Sequence, residues 1–341
     1  MGVRVGVVGA GGMGTRHAQT LLASKMAEVV AVADVDRGRA EGLAAALGAG
    51  RIYQEGRELA QDTKVDAVVV TSPDPTHAEY VLACLDAGKP VFCEKPLAMN
   101  SQEAWSIVQR EVRIGRRLVQ VGFQRRYDSE FQELRRAIGK GEVGKPILYR
   151  AWHRNVRTSH GVPESNETVL INSAIHDFDE IRWLSGHEIA VVHSVVGQTV
   201  DHSVPKGIFD LQLIQLGLED GSLAFIELNL SAAYGYEVGV EVIGDRGTVT
   251  AGLPGGLLYR REERIGQRVP RDWLERFDAA YTAEMAAWLH AVREGKPPWP
   301  HAWDGYVSLV VAEACAEYLR TGRSVRMGLP PRPDLYADAV T

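Results

Sequence analysis

The chain has 341 residues, 45% of them hydrophobic and 24% charged, which is ordinary for a globular protein of about two domains. Its formal net charge of −6, with no compensating basic stripe, argues against a nucleic-acid partner. The three cysteines show no paired spacing, so neither a metal site nor a disulfide framework is indicated.

The sequence carries no pattern for export or membrane insertion. The apolar run at residues 3–8 is too short for a signal peptide, and no run approaches the roughly 18 residues of a membrane-spanning helix. We therefore expect a cytoplasmic protein with reduced thiols and no membrane partner.

A glycine-rich loop follows the first predicted strand. The strand, residues 3–8, runs directly into Gly9-Ala10-Gly11-Gly12-Met13-Gly14, and helical spacing follows to Ser24. The pattern GxGxxG between a strand and a helix is typical of a dinucleotide-binding site. Gly9 permits the tight turn, Gly11 lets the backbone approach a pyrophosphate, and Gly14 lets the helix pack against the strand. The helix start offers N–H groups to the phosphates, so all these positions except Ala10 are candidate cofactor contacts.

The second predicted strand, residues 28–33, ends at Asp34. A carboxylate at this position hydrogen-bonds the ribose hydroxyls and repels a 2′-phosphate, which favours NAD over NADP. Arg37 could meet a 2′-phosphate, so NADP stays open as a secondary cofactor. The alternative interpretation is a glycine turn beside a capping residue, Asp36, at the start of the next helix.

The next strands carry polar residues at their carboxyl ends. The buried run 67–71 leads into Ser72-Pro73-Asp74-Pro75-Thr76-His77, which opens a helix that ends at Gly88. This loop faces the cofactor edge of a parallel sheet, so Ser72, Pro73 and His77 are candidate contacts on the nicotinamide side. Asp74 and Thr76 equally suit helix capping.

A second apolar run, residues 90–93, closes with Glu94-Lys95-Pro96. Open α/β sheets bind ligands beyond the carboxyl ends of their strands, which makes Glu94 and Lys95 candidate site residues. Local composition alone is equally compatible with Lys95 being a solvent-exposed lysine before a proline. A helix at 101–114 and a strand at 118–123 follow, and this alternation predicts a doubly wound parallel sheet of the Rossmann type.

The second half of the chain has a different pattern of predicted helices and strands. After a helix at 131–138 and a strand at 146–153, several strands follow one another, and two helices close the chain at 273–293 and 303–320. The pattern predicts an α+β domain with a large, open, mostly antiparallel sheet. The predicted strands of this series cover residues 190–200, 209–217, 222–230, 236–243 and 247–251.

We therefore divide the chain into an NAD-binding domain at 1–122, a domain for substrate binding and oligomerisation at 123–330, and a tail at 331–341. An open sheet must cover its outer face, and a second subunit is the usual cover. The expected partner is a second copy of this chain, in a homodimer or homotetramer formed through the C-terminal sheet.

A histidine-bearing helix lies between the strand at 146–153 and the large sheet. Asn172, His176 and Asp179 share one stripe of this helix. A polar stripe of this kind can be a solvated edge, and a lone histidine on a helix is usually structural. Histidine is also the side chain whose ordinary pKa suits proton abstraction near neutral pH, as dehydrogenation of an alcohol requires.

Taken together, the motifs resemble those of the Gfo/Idh/MocA oxidoreductases over essentially the whole chain. The resemblance is carried by the glycine loop, by Glu94-Lys95-Pro96, by Gly122-Phe123-Gln124-Arg125-Arg126-Tyr127-Asp128 and by the histidine helix, in that order. Within this family the chain is most similar to the myo-inositol 2-dehydrogenase branch. That similarity is carried by the segments 153–155, 234–238, 244–247 and 303–306.

The resemblance implies a role for each matching residue. Lys95 polarises and positions the hydroxyl group that is oxidised, and His176 takes its proton. The pocket for the ring hydroxyls is lined by Arg125, His153, Asn155 and Tyr236. The implied reaction is NAD-dependent oxidation of a secondary hydroxyl of a cyclitol or sugar to a ketone.

One position departs from the family pattern. Asn172 stands where inositol dehydrogenases usually carry an aspartate, and an amide supplies no charge to stabilise an imidazolium. Asp177 or Asp179 could compensate, and the substrate could instead be an aldose or an amino sugar. The alternatives from other classes are an NAD-dependent glycosidase, in which the hydride step is transient, and a non-catalytic NAD-binding regulator.

Overall fold

The computed structural model describes residues 2–156, 163–253, 258–261 and 263–337. The chain forms two compact units, each assembled from separated segments of the sequence. The first unit comprises the described residues within Met1–Phe123, Tyr281–Leu309 and Leu329–Thr341, and the second those within Gln124–Ala280 and Val310–Gly328. The domain limits drawn from the sequence stay a prediction, and residues 338–341 of the predicted tail lie outside the described residues.

The first unit is built on a six-stranded sheet in which every neighbouring pair is parallel. Its strand order is β3-β2-β1-β4-β5-β6, so the order reverses beside β1, where open α/β sheets bind ligands. The strands are Val3–Val8 (β1), Ala27–Ala33 (β2), Arg51–Tyr53 (β3), Ala67–Val70 (β4), Val91–Glu94 (β5) and Val119–Gly122 (β6).

Helices alternate with these strands, which confirms the predicted doubly wound fold. Asp36 caps the second helix by accepting from the amides of Gly38 and Arg39, and Asn100 caps the fifth by accepting from the amide of Glu103. The helices are Gly12–Ser24 (α1), Arg37–Leu47 (α2), Gly56–Gln61 (α3), His77–Asp86 (α4) and Ser101–Ile114 (α5).

The core of the first unit consists of the valines of the sheet and of helix side chains packed on them. Val5 and Val7 of β1 are fully buried, and Phe92 of β5 packs edge-on against Trp288 with ring centroids 6.1 Å apart. Met285 and Leu289 join the same cluster. A stretch near the end of the chain therefore completes the core of the nucleotide-binding fold.

The second unit contains a seven-stranded sheet in the order β12-β11-β7-β10-β9-β8-β15. Only the β7–β10 pair is parallel, so the predicted mostly antiparallel sheet is confirmed. Its strands are Pro146–Arg154 (β7), Ile189–Gln198 (β8), Leu211–Leu218 (β9), Leu223–Asn229 (β10), Glu237–Gly244 (β11), Thr248–Ala251 (β12) and Val325–Arg326 (β15). A separate hairpin, Leu258–Arg261 (β13) with Arg264–Gln267 (β14), has no counterpart among the predicted strands.

The remaining helices are Ser129–Gly139 (α6), Asn166–Val169 (α7), Ile175–Ser185 (α8), Trp273–Glu294 (α9) and Ala302–Thr321 (α10). Residues Leu170–Ala174 form a π-helical stretch that joins α7 to α8, so the predicted single helix changes its winding just before His176. Helix α9 is kinked at Phe277, which has φ −114° and ψ 19°. None of the described helices is long and apolar enough to span a bilayer.

Candidate functional site

The glycine loop between β1 and α1 has the backbone of a phosphate-binding turn. Gly9 has φ +97°, and a Cβ there would lie 2.6 Å from backbone atoms of Thr71 and Ser72. A Cβ at Gly14 would collide with the carbonyl oxygen of Gly9. A Cβ at Gly11 or Gly12 would meet nothing within 4 Å, and no side chain caps the start of α1. The loop therefore leaves open space beside free helix-start amides, as an anionic ligand requires.

Asp34 is held by the same loop. Its Oδ2 accepts a hydrogen bond from the amide of Ala10 at 2.7 Å, and its Oδ1 accepts from the amide of Asp36 at 2.8 Å. These two bonds fix the carboxylate at the end of β2. Arg37 instead pairs with Glu41 at 2.8 Å on the exposed face of α2. The acid that the sequence assigns to the ribose is thus held by one amide of the glycine loop and one amide of the turn before α2.

The loop after β4 is tied to the loop after β5 through His77. The ring nitrogen Nδ1 lies 2.6 Å from the carbonyl oxygen of Pro96, and Nε2 lies 2.8 Å from that of Ser72. The hydroxyl of Thr76 donates to the hydroxyl of Ser72 at 2.6 Å. Pro73 is exposed at the edge of this loop, whereas His77 is buried.

Glu94 is the last residue of β5, and Lys95 follows it directly. Glu94 is buried, and its Oε1 lies 2.7 Å from Nε2 of His17 on α1. The other carboxylate oxygen, Oε2, accepts from the Lys95 amide at 3.2 Å. The peptide bond from Lys95 to Pro96 is cis, and Lys95 itself is partly exposed. The first unit thus places the glycine loop, Asp34, Ser72, His77, Glu94 and Lys95 at one edge of its sheet.

The second unit holds a buried charge cluster around Arg125. Its Nη1 donates to Asp177 at 2.6 Å and to Glu180 at 3.0 Å, and its Nη2 lies 3.0 Å from Nδ1 of His153. Nδ1 of His153 also lies 2.9 Å from Oδ2 of Asp177. These four side chains are almost completely buried, so each charge in the cluster depends on its partners rather than on bulk solvent.

Burial and charge act in opposite directions on the acids of this cluster. Burial raises the pKa of Glu180 to about 8, with Arg125 opposing the rise and Asp177 adding to it. Burial also opposes the charge on Asp177, but Arg125 and His153 more than offset that effect and keep its pKa below the ordinary value. The two carboxyl groups of the network therefore differ in acidity, with the pKa of Asp177 lowered and that of Glu180 raised.

Tyr236 belongs to the same neighbourhood, whereas Asn155 is placed by the backbone. The ring of Tyr236 packs edge-on against His153 at 6.0 Å, and burial raises the pKa of its hydroxyl to about 12. Asn155 directly follows β7, where its backbone N–H donates to the backbone carbonyl oxygen of Asn229 at 2.7 Å. Both side chains are buried. The structure thus brings Arg125, His153 and Tyr236 together.

The helix that carries His176 is anchored from one side by arginines. Asp179 accepts from Nε of Arg126 at 2.8 Å, and Asp177 is bound by Arg125 as described above. His176 is buried in the first turn of α8, and Asn172 is partly buried in the π-helical stretch before it. The two acids that could compensate for Asn172 are therefore both engaged in ion pairs with arginines.

Comparison with known proteins identifies the family. A family profile described as "Oxidoreductase family, NAD-binding Rossmann fold" matches residues 3–123, and its companion, "Oxidoreductase family, C-terminal alpha/beta domain", matches residues 135–327. The chain belongs to the Gfo/Idh/MocA oxidoreductase family. The resemblance inferred from the sequence motifs is confirmed, and so is the NAD-binding Rossmann domain.

Individual members of the Gfo/Idh/MocA family are similar over nearly the whole chain. The "Inositol 2-dehydrogenase" of Rubrobacter xylanophilus is 46% identical over 98% of this chain and 96% of its own length. The "Inositol 2-dehydrogenase 2" of Saccharopolyspora erythraea is 40% identical over 99% of each chain. A crystal structure of myo-inositol dehydrogenase from Lactobacillus casei, in complex with NAD(H) and myo-inositol, superposes with a TM-score of 0.93 at 33% identity and covers 98% of this chain and 100% of its own.

The residues of this Gfo/Idh/MocA member fit the nicotinamide cofactor of its family. The open space beside Gly11 and Gly12 and the fixed carboxylate of Asp34 would hold its pyrophosphate and ribose. When bound, the cofactor supplies the hydride acceptor for alcohol oxidation. Among the described residues no cluster of side chains suits a metal ion.

Sequence reasoning assigned no role to two residues that this structure makes prominent. His17 lies in the helical segment that follows the glycine loop, where a histidine among apolar positions is a signal for a buried polar partner. Glu180 carried no local signal at all, because its partner Arg125 lies 55 residues earlier in the chain.

Proposed function

We propose that this protein catalyses the NAD-dependent oxidation of a secondary ring hydroxyl of a cyclitol to the ketone, with myo-inositol as the preferred substrate. The observation that carries the proposal is the 46% identity, over 98% of this chain, to a protein named inositol 2-dehydrogenase. The likeness to a myo-inositol dehydrogenase structure at a TM-score of 0.93 supports the same substrate class.

Lys95 and His176 carry the chemistry in this proposal. The ammonium group of Lys95 polarises the reacting hydroxyl and holds it in place, and the imidazole of His176 accepts the hydroxyl proton. Support for Lys95 comes from its position directly after the carboxyl end of β5, at the edge of the parallel sheet where ligands bind in open α/β folds. Support for His176 comes from its place on a helix that two ion pairs anchor.

Four buried polar residues give the second unit its capacity to recognise a polyol. Asn155 and Tyr236 offer an amide and a hydroxyl, the groups that pair with ring hydroxyls. Arg125 and His153 both contact Asp177. In this proposal they therefore hold the turn of α8 that follows His176 in place. A ring covered with hydroxyls is selected by such fixed polar groups, since each missing partner leaves a buried group unpaired.

A second candidate substrate follows from Asn172. An amide at this position keeps a hydrogen bond but gives no negative charge to an imidazolium at His176. Asp177 and Asp179 are both bound by arginines. An aldose or an amino sugar therefore stays the second candidate, with NADP as a possible secondary cofactor.

The choice of substrate is tested by a screen for NADH production with inositol isomers, aldoses and amino sugars, each with NAD and with NADP. We expect the highest kcat/KM for myo-inositol with NAD. A clear preference for an aldose or an amino sugar would replace the proposed substrate. Glycoside hydrolysis without net NADH formation would indicate the glycosidase alternative, and NAD binding without any turnover would indicate a regulator.

We also propose that the outer face of the seven-stranded sheet contacts a second copy of this chain. Apolar side chains lie on this face in adjacent strands, with Val196 61% exposed and Leu223 49% exposed, and Phe225 and Leu213 partly exposed beside them. Exposed apolar side chains grouped on one sheet face are typical of a contact surface, and a second copy of the chain in a homodimer would cover them.

Light scattering coupled to size-exclusion chromatography tests this assembly. We expect the wild-type protein to run as a dimer or tetramer of the 37.4 kDa chain and the double variant Val196→Glu/Phe225→Glu to run as a monomer. The matched control is Leu22→Glu, because Leu22 is 52% exposed in the other unit and should tolerate the charge without dissociation. A monomeric wild-type protein would contradict the proposal.

A further inference from the structure

We propose that two buried histidines, His17 and His77, are positioning residues that hold the segment Glu94-Lys95-Pro96 from its two sides. The inference deepens the proposed function and rests on it, because it assigns the support of Lys95 to named side chains. Both histidines, the segment and its neighbouring loops lie in the first unit.

His17 acts through Glu94. It lies on α1, the helix that begins at the glycine loop, and its side chain is fully buried, with the ring edge-on against Phe92 at 5.1 Å. A carboxylate accepts hydrogen bonds, so the 2.7 Å contact places a proton on Nε2 of His17. Glu94 also accepts a hydrogen bond from the backbone amide of Lys95 at 3.2 Å, so one carboxylate joins α1 to the backbone of Lys95.

The neighbouring strand leaves room for this carboxylate. Gly122 ends β6 beside Glu94, and a Cβ at Gly122 would lie 2.9 Å from Oε2 of Glu94. Any larger residue there would push the carboxylate away from the Lys95 amide. The space for the His17–Glu94 contact is thus built into two neighbouring strands.

His77 acts on the other side of Lys95 through the backbone. Its two ring nitrogens face two carbonyl oxygens, that of Pro96 at 2.6 Å and that of Ser72 at 2.8 Å. Carbonyl oxygens only accept, so a ring nitrogen that carries a hydrogen donates to the carbonyl oxygen that it faces. His77 is 1% exposed and both nitrogens are engaged within the protein, which favours a holding role over direct contact with the nicotinamide.

The two contacts restrain the backbone on both sides of one side chain. The backbone amide of Lys95 is bound to the side chain of Glu94, and the backbone carbonyl group of the next residue, Pro96, is bound to His77. A reacting group must be held within roughly 0.5 Å of its working position. A displacement of about 1 Å can cost about 100-fold in rate. Loss of either histidine therefore acts on the placement of Lys95 and so on kcat.

Conservative variants separate the individual contacts. An asparagine amide reaches the position of a histidine Nδ1 and a glutamine amide that of Nε2, so His77→Asn keeps the bond to Pro96 and His77→Gln keeps only the bond to Ser72. In the same way His17→Gln keeps the donor to Glu94, whereas His17→Leu removes it. The matched control is His301→Asn, since His301 is a buried histidine of the same unit whose side chain contacts Asp304 at 3.0 Å.

The test combines hydrogen exchange of the peptide 91–99 with steady-state kinetics and NAD binding measured by fluorescence. For His17→Leu and His77→Gln we expect exchange about tenfold faster and kcat about tenfold lower, the factor that one buried hydrogen bond represents. The KM and dissociation constant for NAD should change less than about threefold, as expected when transition-state placement alone is lost. His17→Gln and His77→Asn should recover most of both losses.

Two results would overturn the inference. One is exchange of the 91–99 peptide at the wild-type rate in both His17→Leu and His77→Gln. The other is an equal increase in exchange in His301→Asn, which would indicate general loosening of the unit. The exchange measurement needs no substrate, so it decides the positioning role even where the wild-type protein oxidises no cyclitol, a result that would count against the proposed function alone.

Discussion

Arg125 donates from Nη1 to Oδ1 of Asp177 at 2.6 Å, and both side chains are buried. Asp177 follows His176 directly in α8, so this ion pair fixes the helical turn on which the proposed base lies. Glu180 and His153 also contact the guanidinium group, through Nη1 at 3.0 Å and Nη2 at 3.0 Å respectively. A base that must accept a proton from a bound hydroxyl needs this kind of rigid support.

Removal of Arg125 should be strongly destabilising. The variant Arg125→Met leaves the buried acids Asp177 and Glu180 without their cation, which costs about 3–5 kcal/mol for a buried pair. Urea unfolding monitored by circular dichroism measures the loss. The double variant Arg125→Met/Asp177→Leu should recover part of it, because the uncompensated charge is gone. A loss below about 1 kcal/mol, the value of an exposed ion pair, would contradict the importance of the network.

Glu180 should make the stability of the protein depend on pH. Its folded-state pKa of about 8 lies above the ordinary value of 4.5, so the folded protein holds a proton that the unfolded chain releases. Stability should therefore fall as the pH rises from about 4.5 to about 8 and then level off.

Glu180→Gln removes this proton linkage and should be more stable than the wild type by an amount that grows across the same pH range. Urea midpoints at three pH values within that range provide the measurement. Glu133→Gln is the matched control, because Glu133 is an exposed residue of α6 in the same unit. An unchanged difference between wild type and Glu180→Gln at all three pH values would contradict the raised pKa.

Asp34 should control the choice between NAD and NADP. The variant Asp34→Ser removes the carboxylate that the loop amides of Ala10 and Asp36 hold in place. The ratio of kcat/KM with NAD to that with NADP should fall at least about tenfold, the value of one hydrogen bond to a charged group. Arg37→Ala should leave the ratio nearly unchanged, because Arg37 pairs with Glu41. A wild-type preference for NADP would contradict the assignment.

Asn172 should limit the rate on myo-inositol. Asn172→Asp supplies the negative charge that the family resemblance implies at this position, and it should raise kcat on myo-inositol by stabilising an imidazolium at His176. Stopped-flow or steady-state NADH production measures the change. Asn166→Asp, another asparagine of the same unit, serves as the control. No gain in Asn172→Asp, with continued preference for an aldose, would favour the second candidate substrate.

The nucleotide-binding half could be predicted from sequence because its signals are local. The loop from Gly9 to Gly14, the acid Asp34 and the strand ending at Glu94 each combine a hydrophobic run with adjacent polar or glycine residues. Their mutual placement then follows from the rule that parallel strands end at one edge of the sheet.

The network in the second unit could not be predicted in this way. Arg125 pairs with residues more than fifty positions later, and composition alone suggests that arginine and glutamate lie on the surface. The π-helical stretch Leu170–Ala174 also lacks a local signal, because the periodicity around Asn172 and His176 is compatible with a regular helix. Short or irregular strands such as those of the hairpin β13–β14 leave too few residues for a period to show.

The most direct test of the proposed function is the turnover of Lys95→Ala with NAD and myo-inositol. We expect kcat to fall by about 100-fold or more, the range for loss of a positioned acid, base or charge, while the dissociation constant for NAD stays within about threefold. Lys64→Ala, an exposed lysine of the same unit, should behave like the wild type. Full activity in Lys95→Ala would contradict the role of Lys95 as the residue that polarises the reacting hydroxyl.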